Sequence, residues 1–284
     1  RIFRYNELGE TTVFCRCLSR ISNTDMTAVS GGLLSTVGFD AVALKPTEVD
    51  IDHAFSLAVE TITIDYEGNE HVPEPAELRD LADAFDVRLA IPVRADGFDP
   101  LGDDHLAQEV PADISRVLVA GNGAYLSEAE QQRAITPRLK ASAKSSNDPW
   151  VGTEGIERIA LALGGTQFEL LSSATKNEVS ALRTAGYDGE VAVYAPTVLS
   201  GDPDTILDAL GSYAGRRHTV RQRLSNSVSM DSTISGKDRQ TLLAACRAYG
   251  LTGPPDAVAQ QVDSLHESGV DYVVGYPARG LQSL

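Results

Sequence analysis

Two neighbouring carboxylates, Asp65 and Glu67, have the type and spacing that proton transfer requires. They lie at the end of ETITIDY, residues 60–66, and an apolar segment of this kind is typical of a buried strand. Side chains alternate across a strand, so Asp65 falls on the same side as Thr61 and Thr63, and Glu67 follows there. Mutual repulsion would raise one pKa towards neutrality, where a carboxyl group exchanges protons efficiently. We therefore predict that both are catalytic; two exposed acids without a function are the alternative in so acidic a chain.

The turn WVGTEGIERI, residues 150–159, predicts an anion site. Gly152 and Gly155 would let a ligand approach the backbone around Thr153 closely. A helix that begins near Gly155 would also offer free N–H groups and the positive end of its dipole, which together bind phosphate. Glu154 opposes an anion, and glycine turns of this kind also arise for purely geometric reasons.

The loop VGYPARG, residues 274–280, follows the last apolar segment and supplies a positive charge. In an α/β barrel this region commonly holds phosphate groups. We expect Gly275 and Arg279 to complete the anion site, with Arg279 near the 152–155 turn. An ion pair between Arg279 and one of the many surface acids is the alternative.

Other reactive side chains show weaker patterns. The five histidines have no HxH, HExxH or HxxxH spacing, so no metal site is predicted: His53, His71, His105, His218 and His266. Lys45 ends an apolar segment, as a lyase or aldolase lysine could, but two acids shortly after it would hold it charged. The basic helix 216–223, RRHTVRQR, could contact a polyanion or RNA, although such a run is more often a solvated helix face.

Nine short apolar segments, separated by helical or loop segments, indicate the fold. Most lack alternation, which is typical of parallel strands covered on both faces. We predict a (β/α)8 TIM barrel over residues 39–284, with an N-terminal extension at 1–38 and an insertion at about 198–252. An open, doubly wound sheet is the alternative. The segments are 12–18, 40–46, 60–66, 87–93, 116–122, 149–155, 167–173, 190–196 and 271–277.

The composition limits the classes of partner. A net charge of −16 argues against non-specific nucleic-acid binding and against an anionic membrane surface. No apolar run approaches the roughly 20 residues that cross a bilayer, and no signal-peptide pattern occurs. We therefore expect a cytoplasmic protein that acts on a small-molecule substrate, either as a monomer or as a homo-oligomer. The three cysteines form neither a disulfide framework nor a zinc pattern.

Three segments resemble the luciferase-like monooxygenase superfamily, in particular its archaeal branch that depends on the deazaflavin coenzyme F420 and is typified by methylenetetrahydromethanopterin reductase. Residues 149–173 resemble its fifth strand, glycine turn, helix and sixth strand. Residues 190–210 resemble its seventh strand and the helix that follows, and residues 251–281 resemble its closing helix, strand and loop. The resemblance covers about the C-terminal half of the chain.

This resemblance implies an oxidoreductase in which F420 or FMN lies across the barrel and carries a hydride. Its phosphate would bind Gly152, Thr153 and Gly155, with help from Gly275 and Arg279. The chain departs from the family after the second strand, where IDYEGN contains no histidine, and after the third, where RADGFDP replaces an Arg-His-Pro segment. These departures favour the alternative of a binding or scaffold barrel without catalysis.

The excess of acids predicts a halophilic protein. Repulsion among the 40 Asp and Glu residues weakens as the Debye length shortens from about 10 Å at 0.1 M salt to about 3 Å at 1 M. We expect the melting temperature to rise between these two concentrations, which thermal unfolding followed by circular dichroism would measure. An unchanged or lower melting temperature at 1 M would contradict this prediction.

Overall fold

The computed structural model describes residues 36–153 and 155–281. The predicted N-terminal extension, residues 1–38, lies outside the described residues except for its last three. The apolar segment 12–18 lies entirely outside them.

Eight parallel strands close into a barrel. The ring runs β1-β2-β3-β4-β5-β6-β7-β9, and β9 pairs with β1 to close it. The predicted (β/α)8 barrel is therefore confirmed, and the alternative of an open sheet is excluded. The two-residue β8 lies outside the ring and pairs with the end of β7. The strands are β1 (Ala41–Leu44), β2 (Thr61–Ile64), β3 (Asp86–Pro92), β4 (Ser115–Val119), β5 (Trp150–Gly152), β6 (Thr166–Leu170), β7 (Val191–Val198), β8 (Leu251–Thr252) and β9 (Tyr272–Pro277).

Helices surround the ring, but β1 and β2 are joined through a 3-10 helix, Ile51–Ser56, rather than an α-helix. Between β7 and β9, where we predicted an insertion, the chain forms four helices and β8. The α-helices are α1 (Pro75–Ala82), α2 (His105–Glu109), α3 (Glu128–Gln131), α4 (Ile135–Ser145), α5 (Glu157–Leu163), α6 (Thr175–Thr184), α7 (Pro203–Gly215), α8 (His218–Arg221), α9 (Gly236–Tyr249) and α10 (Pro255–Glu267).

The helix α10 and the strand β9 show how the local sequence specifies these elements. Pro255 occupies the first helical position, where its missing N–H group costs nothing. Val258, Val262 and Leu265 recur at helical spacing and are buried against the barrel. Gly269 then adopts a φ of 103°, which turns the chain into β9.

The core has two layers, one outside the ring of strands and one inside it. Alternate residues of each strand pack against the surrounding helices, as Val42, Leu44, Ile62 and Ile64 do. The others fill the barrel interior, where large aromatic side chains oppose the small side chains of β1. The interior cluster is Ala41, Ala43, Val117, Val119, Trp150, Phe168, Ala192, Tyr194, Val274 and Tyr276. No helix in the described part of the chain is long and apolar enough to cross a membrane.

Candidate active site

The C-terminal mouth of the barrel brings Asp65 and Tyr194 together. Asp65 follows β2 and Tyr194 lies on β7, three strands away around the ring. Both point inwards, and the Tyr194 hydroxyl donates a hydrogen bond of 2.7 Å to Oδ2 of Asp65. The alternation along residues 61–65 correctly indicates the side on which Asp65 lies. Its partner, 129 residues further along the chain, was not predicted.

The pKa of Asp65 is raised to about 6. Burial is the largest cause, the hydrogen bond from Tyr194 and the charge of Lys45 oppose it, and Glu67 and Glu48 add smaller increases. We expected repulsion by Glu67 to be the main cause, but it is a minor one. Loss of water around the carboxyl group dominates because Asp65 points into the barrel mouth, where it is bonded to Tyr194.

Lys45 supplies the positive charge of the mouth. Its Nζ atom lies 4.1 Å from the centroid of the Tyr276 ring and 3.6 Å from Oε1 of Glu48. The Tyr276 hydroxyl donates a hydrogen bond of 2.6 Å to the other Glu48 oxygen, and its ring stacks on that of Tyr194 at 5.8 Å. Burial raises the pKa values of Tyr194 and Tyr276 well above the ordinary value, so both hydroxyls remain protonated donors at neutral pH.

Glu67 is held by the loop that follows β1. Its carboxylate accepts a hydrogen bond of 3.0 Å from the Thr47 amide and a second, short one from the Thr47 hydroxyl. It lies close enough to Asp65 for its charge to act on that carboxyl group. Of the two predicted catalytic residues, the geometry therefore favours Asp65 for proton transfer and gives Glu67 a role in ordering the mouth.

Two described amides of the 152–155 turn already have hydrogen-bond partners. The amide of Thr153 donates to the Phe168 carbonyl at 3.0 Å, and that of Gly155 donates to Oε1 of Glu157 at 3.1 Å. The helix α5 begins at Glu157 and has only seven residues, so its N-terminus is short and lies later than predicted. These two amides do not fit the predicted contact with the phosphate of F420 or FMN.

Gly152 and Gly275 have packing explanations. A Cβ atom on Gly152 would lie 1.8 Å from the Phe168 carbonyl oxygen, so the close approach of β5 to β6 requires glycine there. Gly275 alternates with the inward-facing Val274 and Tyr276, and a Cβ atom on it would lie 2.8 Å from the Phe39 ring. The Cβ position of Gly275 therefore faces the helical layer, so packing explains the glycine, and its assignment to a cofactor site stays a prediction.

Arg279 follows β9 and is exposed, at the same end of the barrel as the 152–155 turn. The strands β6 and β7 separate β9 from β5, so Arg279 and Gly152 are not on neighbouring strands. The charge of Arg279 instead acts on Asp208 of α7, whose pKa is lowered mainly by hydrogen bonds from Ser232. An anion shared by Arg279 and the turn remains a prediction without support from this geometry.

A family model matches residues 34–284 and is described as a family of unknown function, DUF7388. The chain belongs to this family. No curated protein matches the chain. The resemblance to luciferase-like enzymes therefore rests on the quoted segments alone. For the described residues of this DUF7388 member, no group of three His, Cys, Asp or Glu side chains is arranged to bind a metal ion.

The raised pKa of Asp65 makes stability depend on pH in a defined direction. Because the folded pKa, about 6, exceeds the ordinary 3.8, the folded state binds more protons between these values and loses stability as the pH rises through them. The loss is at most about 3 kcal/mol. Asp65→Asn keeps an acceptor for Tyr194 but carries no charge. Its melting temperature relative to the wild type should therefore increase from pH 4 to pH 7, and a constant difference would contradict this.

Proposed function

We propose that the protein is an enzyme that transfers a proton to or from a small-molecule substrate at the C-terminal mouth of the barrel, with Asp65 as the acid–base group. The observation that supports this most strongly is the hydrogen bond between Asp65 and Tyr194, in surroundings that raise the pKa of Asp65 to about 6. Proton transfer is most effective when the pKa of the catalytic group lies near the working pH. At pH 7 about a tenth of Asp65 would be protonated, so both forms are populated.

The neighbours of Asp65 have separate tasks in such a reaction. The Tyr194 hydroxyl orients the carboxyl group through its 2.7 Å hydrogen bond. Lys45 contributes a positive charge that stabilises negative charge developing on the substrate, as preorganised cations do in enzyme sites. Glu48 and Tyr276 hold Lys45 in place through the ion pair and the ring contact.

A covalent role for Lys45 has less support. A lyase or aldolase lysine must lose its proton to attack a carbonyl carbon, which burial or a neighbouring cation would favour. Here the neighbours of Lys45 are Glu48, at 3.6 Å, and the Asp65 carboxyl group, which are acids and not the cation that such a lysine needs beside it.

The luciferase-like oxidoreductase remains the more specific proposal. In that reaction F420 or FMN would supply the hydride, and Asp65 would handle the accompanying proton. Because the Thr153 and Gly155 amides already have hydrogen-bond partners, they do not support the predicted phosphate contact, and we derive no step through either cofactor. The archaeal, halophilic and cytoplasmic character expected from the sequence likewise remains a prediction.

Two measurements test this proposal. The absorbance spectrum of protein purified from its native host would reveal a bound flavin or deazaflavin. Independently, protein incubated with a metabolite extract in D2O should introduce deuterium into, or convert, at least one compound detected by mass spectrometry. A colourless protein that changes no compound would favour the scaffold alternative.

A further inference from the structure

A groove of about 770 Å³ opens beside the candidate active site, between α5 and α6. Leu170, the last residue of β6, lies at its inner end. Leu170 pairs in register with Tyr194, the residue that hydrogen-bonds Asp65, and it packs against the interior cluster. Leu170 therefore belongs both to the lining of the groove and to the wall of the barrel interior, on the strand next to the one that carries Tyr194.

Arg217 lines this groove and is the least exposed arginine of the basic segment 216–223. Its guanidinium group lies 4.8 Å from the Tyr213 ring and 5.4 Å from the Tyr249 ring. One terminal nitrogen, Nη2, donates to the Tyr213 hydroxyl. Two aromatic rings and one hydrogen bond thus hold the planar group in a single orientation.

The Nε–H group of Arg217 is buried and has no hydrogen-bond partner among the described residues. A buried donor without a partner destabilises the protein, and the effect is larger when the donor is charged. A shift of the Arg217 side chain that exposes this atom to the groove would let an oxygen of a carboxylate or phosphate satisfy the donor through a charge-assisted hydrogen bond.

Tyr213 links Arg217 to the acid–base centre. Burial raises the pKa of Tyr213, Arg217 opposes the increase, and the charge of Asp65 adds to it. The charge of Asp65 therefore acts on Tyr213, which is hydrogen-bonded to Arg217. Tyr213 thus couples the Arg217 guanidinium group electrostatically to the acid–base centre.

We propose that Arg217 binds an anionic group, carboxylate or phosphate, on the substrate of this enzyme. This inference rests on the proposed acid–base function and names the class of its substrate. Three glutamates line other parts of the groove, Glu157, Glu169 and Glu178. They repel an anion, so they favour a ligand with a neutral or cationic remainder, and Arg158 adds a second positive charge to the lining.

Calorimetric titration with acetate and with methyl phosphate, each of which has a neutral remainder, tests this proposal, and the tighter of the two indicates the chemical class. Arg217→Gln should weaken binding by roughly 10- to 100-fold, the value of a charge-assisted hydrogen bond. The matched control is Arg221→Gln, which removes the same charge from an exposed position of α8 and should change binding less than twofold. Tyr213→Phe should weaken binding to an intermediate degree because Arg217 loses its fixed orientation.

Several outcomes would overturn the proposal. One is wild-type protein that binds neither anion, and another is an equal loss in Arg217→Gln and Arg221→Gln. If Arg217→Gln does not fold, Arg217→Lys retains the charge without the planar fork and should still bind more weakly than the wild type. Asp65→Asn should bind acetate at least as tightly as the wild type. Failure of anion binding is therefore distinguishable from failure of the acid–base proposal.

Discussion

Asp65→Asn should lower turnover by roughly 10²- to 10⁴-fold, the usual contribution of general acid–base catalysis. The substitution preserves the size of the side chain and an oxygen that accepts the hydrogen bond from Tyr194. It removes only the group that gains and loses a proton. The measurement is the rate of conversion, or of deuterium incorporation, for any compound that the wild-type protein changes.

Glu67→Gln is the matched control for this prediction. It is the same kind of change, two residues away, in a carboxylate that is hydrogen-bonded to Thr47. We expect a much smaller decrease, together with a lower pKa in the pH–rate profile, because Glu67 contributes to the raised pKa of Asp65. An equal loss in both variants would mean that the two carboxylates act as one unit. Undiminished turnover in Asp65→Asn would refute the proposed acid–base role.

The ring of strands could be predicted because its determinants are local. Each barrel strand is a short apolar segment bounded by turn residues, and helices such as α10 show buried residues at helical spacing. The inward direction of Asp65 was also predictable, since alternation along β2 depends only on neighbouring residues. The barrel strands that these local patterns predict, and helices such as α10, are present in the folded chain, because the barrel accommodates each of them.

The partners of Asp65 could not be predicted in the same way. Tyr194 comes from the seventh strand, and only closure of the ring places it beside the second strand. Tyr213, on whose pKa the charge of Asp65 acts, comes from the helix after the seventh strand. One signal was present: Ala192 and Tyr194 alternate with Val191 and Val193, so one of the two sets had to face the interior. The partial burial of Arg217 could not be predicted either, because the sequence does not distinguish it from the other arginines of its basic segment. Those arginines are exposed: Arg216, Arg221 and Arg223.

The glycines of the 150–155 segment could not be interpreted from the sequence for a different reason: one local pattern has two structural explanations. A glycine beside a strand end permits either a close ligand or a close neighbouring strand, and the residue type is the same in both cases. The structure favours the second explanation for Gly152. The hydrogen bond from the Thr153 amide to the Phe168 carbonyl supports this explanation, because it ties the end of β5 to β6. Thr153 makes this bond with a φ of 68°, which is unusual for a β-branched residue.

Gly152→Ala should destabilise the protein by about 3 kcal/mol or more, because its Cβ atom would lie 1.8 Å from the Phe168 carbonyl oxygen and force β5 away from β6. Gly155→Ala is the matched control: nothing lies within 4 Å of its Cβ position, and only the φ of 84° opposes alanine. That cost is about 1 kcal/mol, or a decrease of about 2–4 °C in melting temperature. Thermal unfolding without ligand should therefore separate the two variants clearly. If both lose the same small amount, β5 does not approach β6 so closely, and a ligand-binding explanation of Gly152 regains its support.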